Sequence, residues 1–200
     1  FAAIARFLAP YVQTGKAVVF LNMGDHRGRW EEMKRALDDG GVAYTLREGW
    51  ERGKAFAEEA LAGTVGGTNV FLSESTFPAV YLTNLLMRSA DIMVTKPSEL
   101  SFYPVPKLFI QRVGRHEAWG AIRGAEIGDS TMETENAASA MAALKLAVEE
   151  DDLIPFYCRN IVHNHTAGVY DGAYNVIKLA REYRSRLLHG ERTSTGAAIQ

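Results

Sequence analysis

Cysteine is nearly absent: one residue, Cys158, in 200 excludes an internal disulfide framework and fits a reducing, cytoplasmic compartment. An excess of one charge is missing too, since 22 Lys and Arg face 24 Asp and Glu for a formal net charge of −2. With no surplus of cations to neutralise phosphates, the composition argues against a dedicated nucleic-acid binder. The longest apolar runs, such as residues 17–21, fall far short of the roughly 20 residues that cross a bilayer. There is no basic-then-apolar leader pattern, no internal repeat and no low-complexity segment. Neither GxGxxG nor GxxxxGK[ST] occurs, and no GxSxG elbow supplies a hydrolase nucleophile. The chain opens on Phe1 and reads as a piece of a longer protein, so a partner half is expected upstream.

What is present is the balance of a folded domain, 47% hydrophobic and 23% charged, in a chain long enough for a sizeable core. Ile4, Phe7, Leu8 and Tyr11 repeat at the helical period, predicting a helix over residues 1–12. Residues 16–21 form a short apolar run, predicting a buried strand. A helix follows on Trp30, Met33 and Leu37, closed by Gly40-Gly41. The cycle repeats, with strands at 42–46, 69–72, 90–95 and 107–110. Helices are predicted at 50–61, 77–88, 116–125, 134–148, 153–163 and 170–188. Such alternation implies an α/β fold, a doubly wound, mostly parallel, Rossmann-like sheet with helices on both faces and a helical C-terminus. One domain is expected over residues 1–189, then a polar, frayed tail at 190–200.

In such sheets ligands bind beyond the carboxyl ends of the strands, so the loops there carry the candidate site. The first holds Asn22, Gly24, Asp25, His26 and Arg27; Gly24 lets backbone N–H groups approach a phosphate and Arg27 adds charge. Equally, Gly24 and Gly28 shape a turn that Asp25 caps. The second holds Lys96, Ser98 and Glu99, suited to phosphate and to sugar hydroxyls, or else a turn capped by Ser98 with Glu99 in water. The third packs Arg112, Gly114, Arg115, His116 and Glu117 around a helix start. It suits an anion or a base, or else Glu117 complements the helix dipole and the arginines are solvated. Asp129 is either a cap or a ligand-facing residue.

Cys158, His163 and His165 match no structural zinc spacing, and no metal is expected. If residues 153–163 are helical, Cys158 is most simply a buried small apolar residue.

These pieces stand in a familiar order: the strand 18–21 with its Gly24 loop, helix 77–88 running into Ala90-Asp91-Ile92-Met93-Val94-Thr95-Lys96, then residues 104–110 and Gly114-Arg115-His116-Glu117-Ala118, with Gly128 beyond. Over residues 15–148 the chain resembles the C-terminal, donor-binding half of GT-B glycosyltransferases. The likeness is to the peptidoglycan-precursor N-acetylglucosaminyltransferases and the UDP-N-acetylglucosamine–lipopolysaccharide transferase-like proteins. The resemblance implies inverting sugar transfer from a nucleotide diphosphate, typically a UDP-sugar, with no cofactor or bound metal. Glu99 would take the donor ribose, and His116-Glu117 would lie near the donor sugar and phosphates. The acceptor and general base would belong to the upstream half, and the full-length protein would meet the inner membrane face peripherally. Alternatives from other classes are a non-catalytic interaction module, using the Phe102-Tyr103 loop, and a nucleotide-sugar epimerase-like enzyme.

Overall fold

The structure, a computed structural model, describes residues 1–188; the expected tail at 190–200 lies outside them. The described residues fall into two compact units, Phe1–Ile161 and one beginning at Val162.

The first unit opens with α1 (Ala2–Gln13), β1 (Val19–Asn22), α2 (Arg27–Asp39), β2 (Thr45–Glu48), α3 (Trp50–Leu61), β3 (Thr68–Leu72) and α4 (Thr76–Leu86). It continues with β4 (Met93–Thr95), β5 (Lys107–Phe109), α5 (Ala118–Ile127) and α6 (Ala137–Glu149), and α7 (Leu153–Thr166) begins in it. Strand and helix alternate as the apolar runs predict, and every strand pair is parallel, which makes the fold α/β.

The strands form a three-stranded sheet in the order β1-β3-β2 and a two-stranded sheet, β4-β5. Burial explains why β3 is central. All five residues of β3 are buried, whereas β2 is Thr-Leu-Arg-Glu with Thr45 and Glu48 exposed. A strand buried on both faces takes the middle, and one carrying charge takes the edge. Alternation along β3 then assigns the layers. Phe71 faces Phe56, Ala57 and Ala60 of α3 and Leu82 of α4; Val70 and Leu72 share a cluster with Ala5 of α1 and with Trp30 and Leu37 of α2. A third cluster joins Ile4 and Leu8 of α1 and Leu144 of α6 to Val19 of β1 and Leu108 of β5.

Several boundaries shift for local reasons. Lys16 and Ala17 do not start a strand: their N–H groups bond to the Tyr11 carbonyl at 2.8 and 3.2 Å and close α1. Val42 likewise bonds back to Leu37 at 2.9 Å and packs beside Trp30, so β2 begins at Thr45. Thr134 is tied to the end of β5 instead of starting a helix, both its N–H and Oγ1 donating to the Phe109 carbonyl at 2.8 Å. Asn136 caps α6 by accepting from the Ser139 N–H at 3.0 Å.

Lys107, the first residue of β5, is fully buried with its ammonium 2.9 Å from the equally buried Asp129 carboxylate. It also donates to the carbonyls of Tyr103 at 2.8 Å and Val105 at 2.9 Å, so three acceptors surround three protons. Burial pushes this ammonium below its ordinary value, against the opposing pull of Asp129. The Asp129 side chain is thus turned inward to Lys107, while its N–H closes the end of α5 on the Gly124 carbonyl at 3.2 Å. Cys158 is exposed rather than buried, because its neighbour Tyr157 takes the inward position on α7.

In the second unit, α8 (Gly172–Leu188) carries no buried residue. No helix among the described residues is long and apolar enough to cross a membrane.

Candidate ligand cleft

The first loop is spent on joining the strand ends. At the carboxyl end of β1, the Asn22 amide donates to the Ala79 carbonyl (2.9 Å) and Thr83 Oγ1 (2.8 Å), while its oxygen accepts from the Gly24 N–H (3.0 Å). Gly24 sits at φ 57°, a left-handed conformation that favours glycine, and its carbonyl accepts from the Ser73 N–H at 2.8 Å. Asp25 accepts from the Thr76 hydroxyl at 2.8 Å and so ties the loop to α4 instead of capping α2. Arg27 pairs with Glu48 at the end of β2, 3.0 Å away. The N-cap of α2 is His26, whose imidazole is exposed and 3.7 Å from Asp25.

The second and third loops follow β4 and β5, and one carboxylate clasps them. Glu117 is buried; its Oε1 accepts from Lys96 Nζ at 2.6 Å and its Oε2 from the N–H groups of Val113 (2.8 Å) and Gly114 (3.0 Å). The Lys96 hydrogen bond, helped by the Gly114 and Val113 amides, holds the Glu117 carboxyl down to about 2. The same bond raises the Lys96 ammonium above its ordinary value. Both groups are thereby occupied within the protein. Arg112 is occupied as well, since its guanidinium and N–H both bond to Glu133, at 3.0 and 2.8 Å.

Next to this clasp opens a cleft of about 600 Å³. One side comes from the turn after β4, with Ser98, Glu99 and Phe102; the other comes from His116, Trp119 and Arg123. Two glycines shape it. A Cβ at Gly120 would stand 2.7 Å from Ser101 Oγ and 2.9 Å from the Pro97 carbonyl, so α5 seats on the 97–101 turn only because that position is bare. The His116 ring folds back onto Gly114, where a Cβ would come within 2.5 Å of Cε1.

Of the residues singled out from sequence, Ser98, Glu99, His116 and Glu117 line this cleft. Asn22, Gly24, Asp25, His26, Arg27, Lys96, Arg112, Gly114 and Arg115 are not among its lining residues. Sequence reasoning gave Phe102 to an interaction loop and missed Trp119, Arg123 and Glu126 as cleft residues. A signal for the last three existed: Trp119, Ile122, Arg123 and Glu126 recur at the helical period on α5, while the small Ala121 and Gly124 face inward. Among the described residues, no three His, Cys, Asp or Glu side chains stand together as a metal site.

The clasp predicts an acid-sensitive stability. Glu117 titrates near 2 in the folded chain against an ordinary 4.5, so its contribution is present above pH 4.5 and is lost as pH falls toward 2. Thermal melts in pH steps are expected to show a falling melting temperature across that window. In Glu117→Gln the fall is expected to be shallower, and equal slopes would mean that the clasp does not stabilise the fold.

No curated protein and no solved structure matches this chain. A family model does match, over residues 1–181, and its description is Domain of unknown function (DUF6938). The match spans both sides of the cleft and nearly all the described chain, and the chain belongs to this DUF6938 family.

Proposed function

We propose that this chain binds a nucleotide-diphosphate sugar, a UDP-sugar, in the cleft between residues 97–102 and 116–126. In this reading it is the donor half of a GT-B glycosyltransferase-like enzyme that transfers a hexose or hexosamine to a lipid or glycan acceptor held by an upstream half. The observation that carries the proposal is the meeting of two separate strand-end loops in one cleft, with Glu99 and His116 both lining it. His116-Glu117 belongs to the pieces on which the resemblance rests, whereas the Gly24 loop, another of them, does not line the cleft. The two parallel sheets read as parts of one Rossmann-like sheet, because Val19 of β1, Leu108 of β5 and the partly buried Val94 of β4 share a core under α1 and α6.

The carboxylate of Glu99 accepts hydrogen bonds from the ribose hydroxyls. His116, at the start of the helical segment, and Arg123 face the diphosphate, whose charge grows as the sugar leaves. Glu117 positions His116 by fixing the Val113 and Gly114 amides ahead of it. The base that activates the acceptor belongs to the upstream half in this reading.

Calorimetric titration of the full chain with UDP-N-acetylglucosamine, UDP and ADP tests it. Binding is expected for the nucleotide ligands and no sugar transfer by this chain alone. Glu99→Ala is expected to weaken binding by roughly ten-fold or more, the loss of hydrogen bonds to a charged group. Absence of heat with any nucleotide at millimolar concentration would remove the proposal.

A further inference from the structure

We infer that the cleft recognises the nucleoside end of its ligand: a heteroaromatic base stacks on Phe102 and Trp119, and the diphosphate adds little affinity. The inference rests on the nucleotide-sugar reading and deepens it. Phe102 is 67% exposed and Trp119 74% exposed, although both line the cleft. Among the described residues neither ring packs against another aromatic ring; the paired rings are Phe7 with Tyr11, Phe20 with Phe56, Trp30 with Tyr44, Trp50 with Tyr81 and Phe156 with Tyr157. Two large rings left mostly in water along one cleft contribute little to folding, and a planar base laid on them removes apolar surface from water.

The charges in the cleft favour the same end of the ligand. Arg123 is the sole Lys or Arg among the lining residues, and it stands 3.9 Å from Glu126. Glu99 adds a further carboxylate, and the nearby Lys96 ammonium is already held by Glu117. A site for pyrophosphate needs a surplus of cations or aligned N–H donors. Here the Val113 and Gly114 N–H groups are turned onto Glu117. The cleft therefore offers stacking surfaces and acceptors for hydroxyls, which suit a base and a ribose. Because every base has a π-face, stacking of this kind tolerates a change of base.

Titrations of the full chain with uridine, UDP, ADP, UDP-N-acetylglucosamine and pyrophosphate, followed by calorimetry and tryptophan fluorescence, test the inference. Uridine and ADP are expected to bind within about ten-fold of UDP, and pyrophosphate is expected not to displace UDP-N-acetylglucosamine. Trp119→Ala and Phe102→Ala are each expected to weaken UDP binding by about ten-fold. Trp119→Phe is expected to keep most of the affinity and lose the ligand-induced quenching. If UDP-N-acetylglucosamine binds while uridine does not, or pyrophosphate competes as well as UDP, the inference is overturned and the proposed function stands. Unchanged UDP binding by both alanine variants overturns the inference in the same way. Absence of binding by every ligand overturns both. Should an alanine variant fail to fold, the ligand series on the unaltered chain still decides.

Discussion

Lys107→Met is expected to lower the unfolding free energy by about 3–5 kcal/mol, among the largest losses available to a single substitution here. The methionine fills the volume of the lysine stem but removes the ammonium from a carboxylate that is itself fully buried, 2.9 Å away. It also removes the donor from the Val105 carbonyl and one of two donors from the Tyr103 carbonyl. For a chain of this length the melting temperature is expected to fall on the order of 10 °C, measured alongside urea denaturation. Replacing both charges, as Lys107→Met with Asp129→Leu, is expected to recover part of the loss, since a buried pair can often be exchanged for apolar side chains. Recovery stays incomplete because the Val105 carbonyl still lacks its donor, at about 1–3 kcal/mol for a buried group left unsatisfied, whereas the Tyr103 carbonyl keeps the Val105 N–H at 2.9 Å. A single variant as stable as the parent chain would show that the pair contributes nothing.

The consequence reaches the cleft. Lys107 fixes the backbone at Tyr103 and Val105, directly after Phe102, and its own N–H and carbonyl bond to Asp129 and Thr131 at 2.9 Å, beyond the carboxyl end of α5. Both chain segments that form the cleft are thus anchored to one buried ion pair. Ligand affinity in Lys107→Met is accordingly expected to fall even at temperatures where the variant is folded.

Much of the architecture was legible because its local signals agree. The helix predicted at 50–61 is α3 without change, since it begins after Gly49 at φ 84° and shows Phe56 and Ala60 on its inner face. The strand order was partly readable, and the reading missed it: Thr45-Leu46-Arg47-Glu48 is the sequence of an edge, whereas Val70-Phe71-Leu72 is that of a centre. Lys107 could not be read, because a lysine opening a short strand looks solvated until a carboxylate 22 positions later folds against it. Glu117 had two readings, ligand contact or dipole partner; it stands in the first helical turn and accepts from the Gly114 N–H there, as the second reading has it, and it also clasps Lys96, 21 residues away in sequence. The first loop failed as a cleft contributor for a related reason. Asn22, Gly24 and Asp25 suit a ligand and a strand junction equally well, and only the positions of Ala79, Ser73 and Thr76 decide between them.

Phe71→Ala is expected to cost about 3–5 kcal/mol, comparable to the lysine, but through a cavity in place of a charge. Phe71 is 1% exposed in the central strand β3, packed among Phe56, Leu82 and Ala79. Its ring also lies over Gly53 of α3, where a Cβ would come within 2.6 Å of Cε2. Gly53→Ala therefore sets two effects against each other. Alanine in mid-helix contributes about 1 kcal/mol over glycine, while overpacking a ring that Phe56 and Leu82 hold in place costs about 1–3 kcal/mol. The second effect wins and the single variant is expected to be destabilised. In a Phe71→Leu background the clashing ring edge is gone, so Gly53→Ala is expected to reverse sign and stabilise by up to about 1 kcal/mol. A double-mutant cycle by urea denaturation measures the coupling, and additive effects would show that α3 can shift away from β3 freely. The coupling matters beyond the core because the Phe71 carbonyl accepts from the Met23 N–H and the Leu72 carbonyl from the Gly49 N–H, both at 2.9 Å. The ring thus sets where the loops after β1 and β2 leave the sheet, which is why a packing defect at Phe71 is expected to loosen the Gly24 junction before it unfolds the chain.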